Sequence, residues 1–123
     1  MARLFVDVDG TLVKWGKGDN LINQHEKPWE FNHHVIDYVG EWRAANPTGV
    51  IVVWSGGGVK YAATWARRAF DYDRFYPIAW AAKGLIMPAA DDLFIDDSPA
   101  KVWAPQSISP DSLIDAPWFT HHG

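Results

Sequence analysis

Arg3-Leu4-Phe5-Val6-Asp7-Val8-Asp9-Gly10-Thr11 is an apolar run that ends in two carboxylates two residues apart, followed by Gly-Thr. A short run of Leu, Phe and Val closed by Asp-Gly predicts a buried strand that stops at a turn. Residues i and i+2 of a strand point the same way, so a straight strand would set Asp7 and Asp9 on one face. Asp9-Gly10 already begins the turn, which lets Asp9 swing off the sheet. Two carboxylates buried together are costly, because each loses solvation and each repels the other. A divalent cation would resolve that conflict. So would a phosphate site that keeps one carboxylate charged and the other protonated. The plainer alternative is a strand that ends in an Asp-Gly turn, with Asp7 solvated at the rim.

A similar pattern closes the middle of the chain. In Asp92-Leu93-Phe94-Ile95-Asp96-Asp97-Ser98-Pro99 an apolar strand again ends in adjacent carboxylates, and Ser-Pro is a reasonable helix start. Two such strands side by side in a parallel sheet would end at one edge, where open α/β sheets bind ligands. The oxygen-rich site so formed suits a hard cation such as Mg²⁺. Asp91 and Asp92 precede the strand and are expected at its far end.

Between these lies Gly49-Val50-Ile51-Val52-Val53-Trp54, β-branched and non-alternating, which predicts a strand covered on both faces. Ser55-Gly56-Gly57-Gly58 ends it, and a helix is expected from about Val59 to Phe70, with Val59, Ala62, Ala63, Ala66, Ala69 and Phe70 as its apolar face. A strand, a Ser-Gly turn and a helix N-terminus can hold a phosphate, since free N–H groups and the positive helix end face the anion. Many such turns bind nothing. The absence of a Gly-Lys-Ser/Thr sequence excludes a Walker A loop.

The 123 residues have room for one modest core. Apolar residues make up 48% and charged residues 21%, which fits a globular protein rather than a disordered one. The net charge of -4 leaves no general basic footprint for nucleic acid. No cysteine is present, so disulfides, thiolate metal sites and a Cys nucleophile are excluded. The chain opens directly on a strand and carries no apolar run of membrane-spanning length, so no signal peptide or membrane partner is expected and the cytoplasm is the expected location. Eight Trp are more than so small a core can hide.

The motif Asp7-Val8-Asp9-Gly10-Thr11-Leu12 resembles the first motif of the haloacid dehalogenase (HAD) superfamily, which is dominated by phosphohydrolases. Ser55 stands where that family has its second motif, and Ile95-Asp96-Asp97-Ser98 resembles its fourth. The third motif is a Lys: Lys83 is the candidate, with Lys60 and Lys101 competing. The resemblance implies a three-layer α/β sandwich with a mainly parallel, Rossmann-like sheet of order 5-4-1-2-3. Residues 1–123 would form a single HAD-like domain, with a short flap at about residues 13–31 in place of a cap. It implies a Mg²⁺-dependent phosphohydrolase that works through an aspartyl-phosphate. Asp7 would be the nucleophile and Asp9 the general acid and base. Asp7, the Asp9 carbonyl and Asp96 would hold the metal. Asp97 would act through water or orient Ser55 or Lys83. Ser55, Lys83 and the N–H groups near Gly10 and Gly56 would hold the phosphate. An open site admits a small phosphorylated molecule or a nucleic-acid end, and a homo-oligomer could supply a lid. The alternative from another class is a catalytically weak Mg²⁺- or phosphate-binding interaction module.

The remaining segments are expected to serve this core. Val13 to Asn23, with Gly, Asp and Asn between two apolar pieces, predicts a two-stranded flap around Lys17–Asn20. Gln24 to Phe31 reads as an irregular connector. Lys14, Trp15, Lys17, His25 and Trp29 could reach a substrate, and Trp15, Trp29 and Trp54 could stack on a base. Packing explains each of these Trp equally well. Asn32 can cap a helix to about Asn46, whose first-turn His33 and His34 face solvent. Tyr76 to Trp80 predicts a short strand, which Pro77 places at an edge or limits to a strand start. After Ala100, Pro105, Pro110 and Pro117 exclude a long element. A short capped helix could form over Ser109–Ile114.

Overall fold

The structure is a computed structural model and describes residues 2–15, 29–87, 89, 91–96 and 107–110. Strand β1 (Arg3–Asp7) lies at the centre of a five-stranded sheet. It pairs in parallel with β4 (Val50–Ser55) on one side and with β6 (Leu93–Ile95) on the other. The edges are β5 (Ile78–Ala82) beside β4 and β7 (Ser107–Ile108) beside β6, both parallel. Counting the sheet strands alone along the chain, the order from β7 reads 5-4-1-2-3. The three strands that end in Asp7, Ser55 and the residue before Asp96 are therefore neighbours.

Burial on both faces explains the non-alternating strands. Leu4, Val6, Ile51, Val53 and Ile95 face one side, where Val35, Val39 and Trp42 of helix α1 (His33–Ala45) pack with Ala62, Trp65 and Ala66 of helix α2 (Val59–Ala69). Phe5, Val52, Trp54 and Phe94 face the other. There Phe5 stacks on Phe94 with ring centroids 4.6 Å apart, and Trp54 closes on Phe5 at 4.7 Å. A helical layer over this second face, which a three-layer sandwich requires, is not among the described residues. The architecture seen is a mainly parallel sheet with helices α1, α2 and the one-turn α3 (Tyr72–Phe75). No helix among the described residues is long and apolar enough to cross a membrane.

Local signals account for the helix ends. The Asn32 side chain accepts from the His34 N–H, as expected of an N-cap, and α1 ends at Asn46 just before Pro47. Gly58 precedes α2 with φ 104° and caps it without a side chain. One face assignment changes. Val59 is 48% exposed and Trp65 is buried, so the buried face of α2 is rotated toward Trp65. In α1 a charged residue, Arg43, is buried together with Val35, Val39, Gly40 and Trp42. The Arg43 guanidinium donates to the carbonyls of Asn46, Gly49, Phe75 and Pro77, which offsets part of the cost of burying it.

The flap also differs from its expected form. Strand β2 (Val13–Trp15) pairs antiparallel with β3 (Trp29–Phe31), at the end of the stretch expected to be irregular. Residues 16–28, including the expected turn at Lys17–Asn20, and most of Ser109–Ile114 lie outside the described residues.

Candidate functional site

The C-terminal ends of four adjacent parallel strands converge on one sheet edge. Asp7 ends β1, Ser55 ends β4, Lys83 follows β5 and Asp96 follows β6. Register explains which side chains meet. Asp7 lies two residues beyond Phe5, and Asp96 two beyond Phe94, the partner of Phe5. Asp7 also pairs with Trp54, which pairs with Ala81, two residues before Lys83. With the two-residue period of a strand, Asp7, Asp96 and Lys83 all belong to the Phe5 face. Ser55 belongs to the other face, beside the N-terminus of α2.

The side chains meet accordingly. Lys83 Nζ lies 3.2 Å from Asp7 Oδ1 and 2.5 Å from Asp96 Oδ2. Asp7 is 6% exposed and Asp96 is 1% exposed, so the pair is shielded from water. Burial works against the Lys83 charge, but the carboxylates of Asp96 and Asp7 outweigh it and hold the ammonium above its ordinary pKa. The Lys83 N–H donates to the Ser55 carbonyl at 2.9 Å, which extends the β4–β5 ladder and fixes the base of the side chain. Lys60 is exposed on α2, and Lys101 lies outside the described residues. Of the candidate lysines described, Lys83 is the one in contact with the carboxylates.

The turn after β1 is wound tightly. Gly10 has φ 77°, which suits glycine, and its N–H donates to the Val13 carbonyl. The Leu12 N–H donates to the Asp7 carbonyl at 3.2 Å. This winding turns Thr11 back, and its hydroxyl donates to Asp7 Oδ2 at 3.2 Å. Each oxygen of Asp7 thus has its own partner, Lys83 on Oδ1 and Thr11 on Oδ2. The turn also carries Asp9 off the sheet toward α2, where the Tyr61 hydroxyl donates to Asp9 Oδ1 at 2.6 Å. Burial first, and then the Asp9 carboxylate, push the Tyr61 phenol well above its usual range, so it remains a donor.

The loop after β4 forms the other wall. Ser55 is buried, and its Oγ accepts from the Gly57 N–H at 3.0 Å. Gly56 is exposed, and a Cβ added there would meet no atom within 4 Å, so space lies open over this turn. The N-terminus of α2, with Gly58 as its cap and no side-chain capping bond, begins at the far end of the same loop.

Sequence reasoning left two participants unassigned. Thr11 was in view as part of the motif, but its bond to Asp7 depends on the wound turn. Tyr61 and Trp65 are four apart, a spacing that puts both on one helical face and marks them for the buried side of α2. Trp54 is buried between Phe5 and Phe94, so it does not serve as a stacking surface. Asp92 lies at the opposite end of the sheet, paired with Arg3. His33 and His34 are exposed, and so is Lys14. Asp97, Lys17 and His25 lie outside the described residues, as do the side chains of Trp15 and Trp29. No group of three or more His, Asp or Glu arranged to hold a metal occurs among the described residues. Comparison with protein-family models, with curated proteins and with solved structures finds no match.

Proposed function

We propose that the protein is a phosphohydrolase that cleaves a phosphomonoester by transferring the phosphoryl group to Asp7. The observation that carries this reading is the Lys83 ammonium set between the buried carboxylates of Asp7 and Asp96 at the ends of neighbouring strands. A structural ion pair needs one carboxylate. Here two share one cation, at the sheet edge where such folds bind ligands. The strand order supports the same reading, because it is the order implied by the resemblance to the HAD superfamily.

The residues assign the steps. Asp7, with both oxygens oriented by Lys83 and Thr11, attacks phosphorus and forms an acyl phosphate. Lys83, Ser55 and the Gly56 N–H offset charge on the phosphoryl oxygens, whereas the Gly10 N–H, expected in the same role, is taken by the Val13 carbonyl. Asp9 gives a proton to the leaving oxygen, then takes one from the water that hydrolyses the acyl phosphate. Asp7, the Asp9 carbonyl and Asp96 form an all-oxygen donor set, and one Lys83 charge does not neutralise the carboxylates around it. That chemistry fits Mg²⁺, with Asp97 as a further donor. When bound, the ion supplies positive charge between nucleophile and phosphate.

Phosphate release from an aryl phosphate and a panel of phosphomonoesters, with and without Mg²⁺, tests the reading. Wild type should release phosphate only with the metal, and Asp7→Asn should lower turnover by more than about a thousandfold. Undiminished turnover in Asp7→Asn overturns the proposal. Phosphate or Mg²⁺ binding without release by wild type would replace it with a binding module.

A further inference from the structure

Tyr61 lies in the first turn of α2, and its hydroxyl reaches 2.6 Å across to a carboxylate 52 residues earlier. The ring is held by its neighbours. Trp65, one helical turn on, meets it edge-on with centroids 6.4 Å apart, and Phe31 of β3 braces Trp65 at 6.0 Å. The loop after β4 passes so closely that a Cβ on Gly57 would fall 3.0 Å from Tyr61 Cδ2. Packing of this kind fixes the position of the phenol oxygen before any substrate arrives.

We propose that Tyr61 is a positioning residue for proton transfer by Asp9: by donating to Oδ1 it fixes the orientation of the carboxyl toward the leaving oxygen. The inference rests on the phosphohydrolase reading. In the cleavage step a bond forms between an Asp7 oxygen and phosphorus while the bond from phosphorus to the ester oxygen breaks. The bonding pair stays on the ester oxygen. The proton of the Asp9 carboxyl moves there, giving a neutral alcohol and an Asp9 carboxylate. Tyr61 keeps its own proton throughout and stabilises the carboxylate left behind.

Leaving groups of different basicity test this. A nitrophenolate departs without a proton, whereas an alkoxide needs one, so proton delivery matters chiefly for alkyl esters. The values of kcat/KM for p-nitrophenyl phosphate and for glycerol 2-phosphate would be measured with Mg²⁺ for wild type, Tyr61→Phe and Asp9→Asn. Tyr61→Phe should lose at least about tenfold more on the alkyl than on the aryl substrate, in the same sense as Asp9→Asn. A ratio of two kcat/KM values does not depend on the fraction of folded enzyme, so a purely structural role leaves it unchanged. Equal losses on both substrates, or none, would overturn the proposal while the phosphohydrolase reading stands. No turnover of either ester by wild type would overturn both. If Tyr61→Phe does not fold, Tyr61→3-fluorotyrosine keeps the shape and alters the donor strength. A changed ratio then supports the role, and an unchanged one refutes it.

Discussion

Lys83 illustrates how much one side chain depends on its neighbours. In the sequence it is a lysine before a glycine, a candidate with which Lys60 and Lys101 compete. Its ion pairs with Asp7 and Asp96 arise because the ends of β5, β4, β1 and β6 lie side by side. Lys83→Met should therefore lower kcat/KM for phosphomonoesters by at least about a hundredfold, the scale of losing one charge-stabilising donor. A steady-state assay checks this, and a variant as active as wild type would shift the role to another lysine. Asp7 and Asp9 show the opposite case. Their pairing in one short motif was legible directly, and the Asp-Gly turn correctly placed Asp9 off the sheet. The partners they meet, Thr11 and Tyr61, were not legible, because they depend on how the turn winds and on which side of α2 faces it.

At the scale of elements, the strands and helices follow from short-range signals. Asn32 at the start of α1, Pro47 beyond its end, the glycines between β4 and α2, and Pro77 before edge strand β5 each act within a few residues. Packing between elements is less visible. Arg43, a charged residue of α1, is buried and satisfies carbonyls of two stretches, Asn46 and Gly49 on one and Phe75 and Pro77 on the other. Arg43→Met should destabilise the protein by about 3 kcal/mol, since several buried acceptors lose their donor at once. Chemical denaturation would register this as a lower midpoint at an unchanged slope. A loss below about 0.5 kcal/mol would mean that water takes over the carbonyls. The flap was expected as a local hairpin, but β2 instead pairs with β3 across residues 16–28, because three alternating residues after a proline carry too weak a local signal.

At the scale of the molecule, the two ends of the sheet hold different groups. The C-terminal edge gathers Asp7, Ser55, Lys83 and Asp96. At the other edge Arg3 holds Asp92 through Nε at 2.9 Å and a second nitrogen at 2.5 Å, tying the start of β1 to the start of β6. Burial alone would raise the Asp92 pKa, but Arg3 and the Ala89 N–H outweigh it and hold the carboxyl below its usual range. A carboxyl whose pKa falls on folding contributes stability above its unfolded value of about 3.9. That contribution is lost as the pH drops through the lower folded value. Arg3→Leu should therefore cost about 2 kcal/mol at pH 7, and the difference from wild type should shrink below about pH 4. Urea unfolding of both proteins at neutral and acidic pH checks this, and a pH-independent difference would show that the pair is not responsible. The sequence by itself determined the parallel α/β character, the positions of the main strands and helices, and which carboxylates end which strands. Each of these is written in hydrophobic period, turn chemistry and capping, all of which act over a few residues. Only the tertiary structure decided that Lys83 bridges Asp7 and Asp96, that Tyr61 meets Asp9 and that Trp54 is buried. Those contacts join residues dozens of positions apart, and their geometry is set by strand order and register.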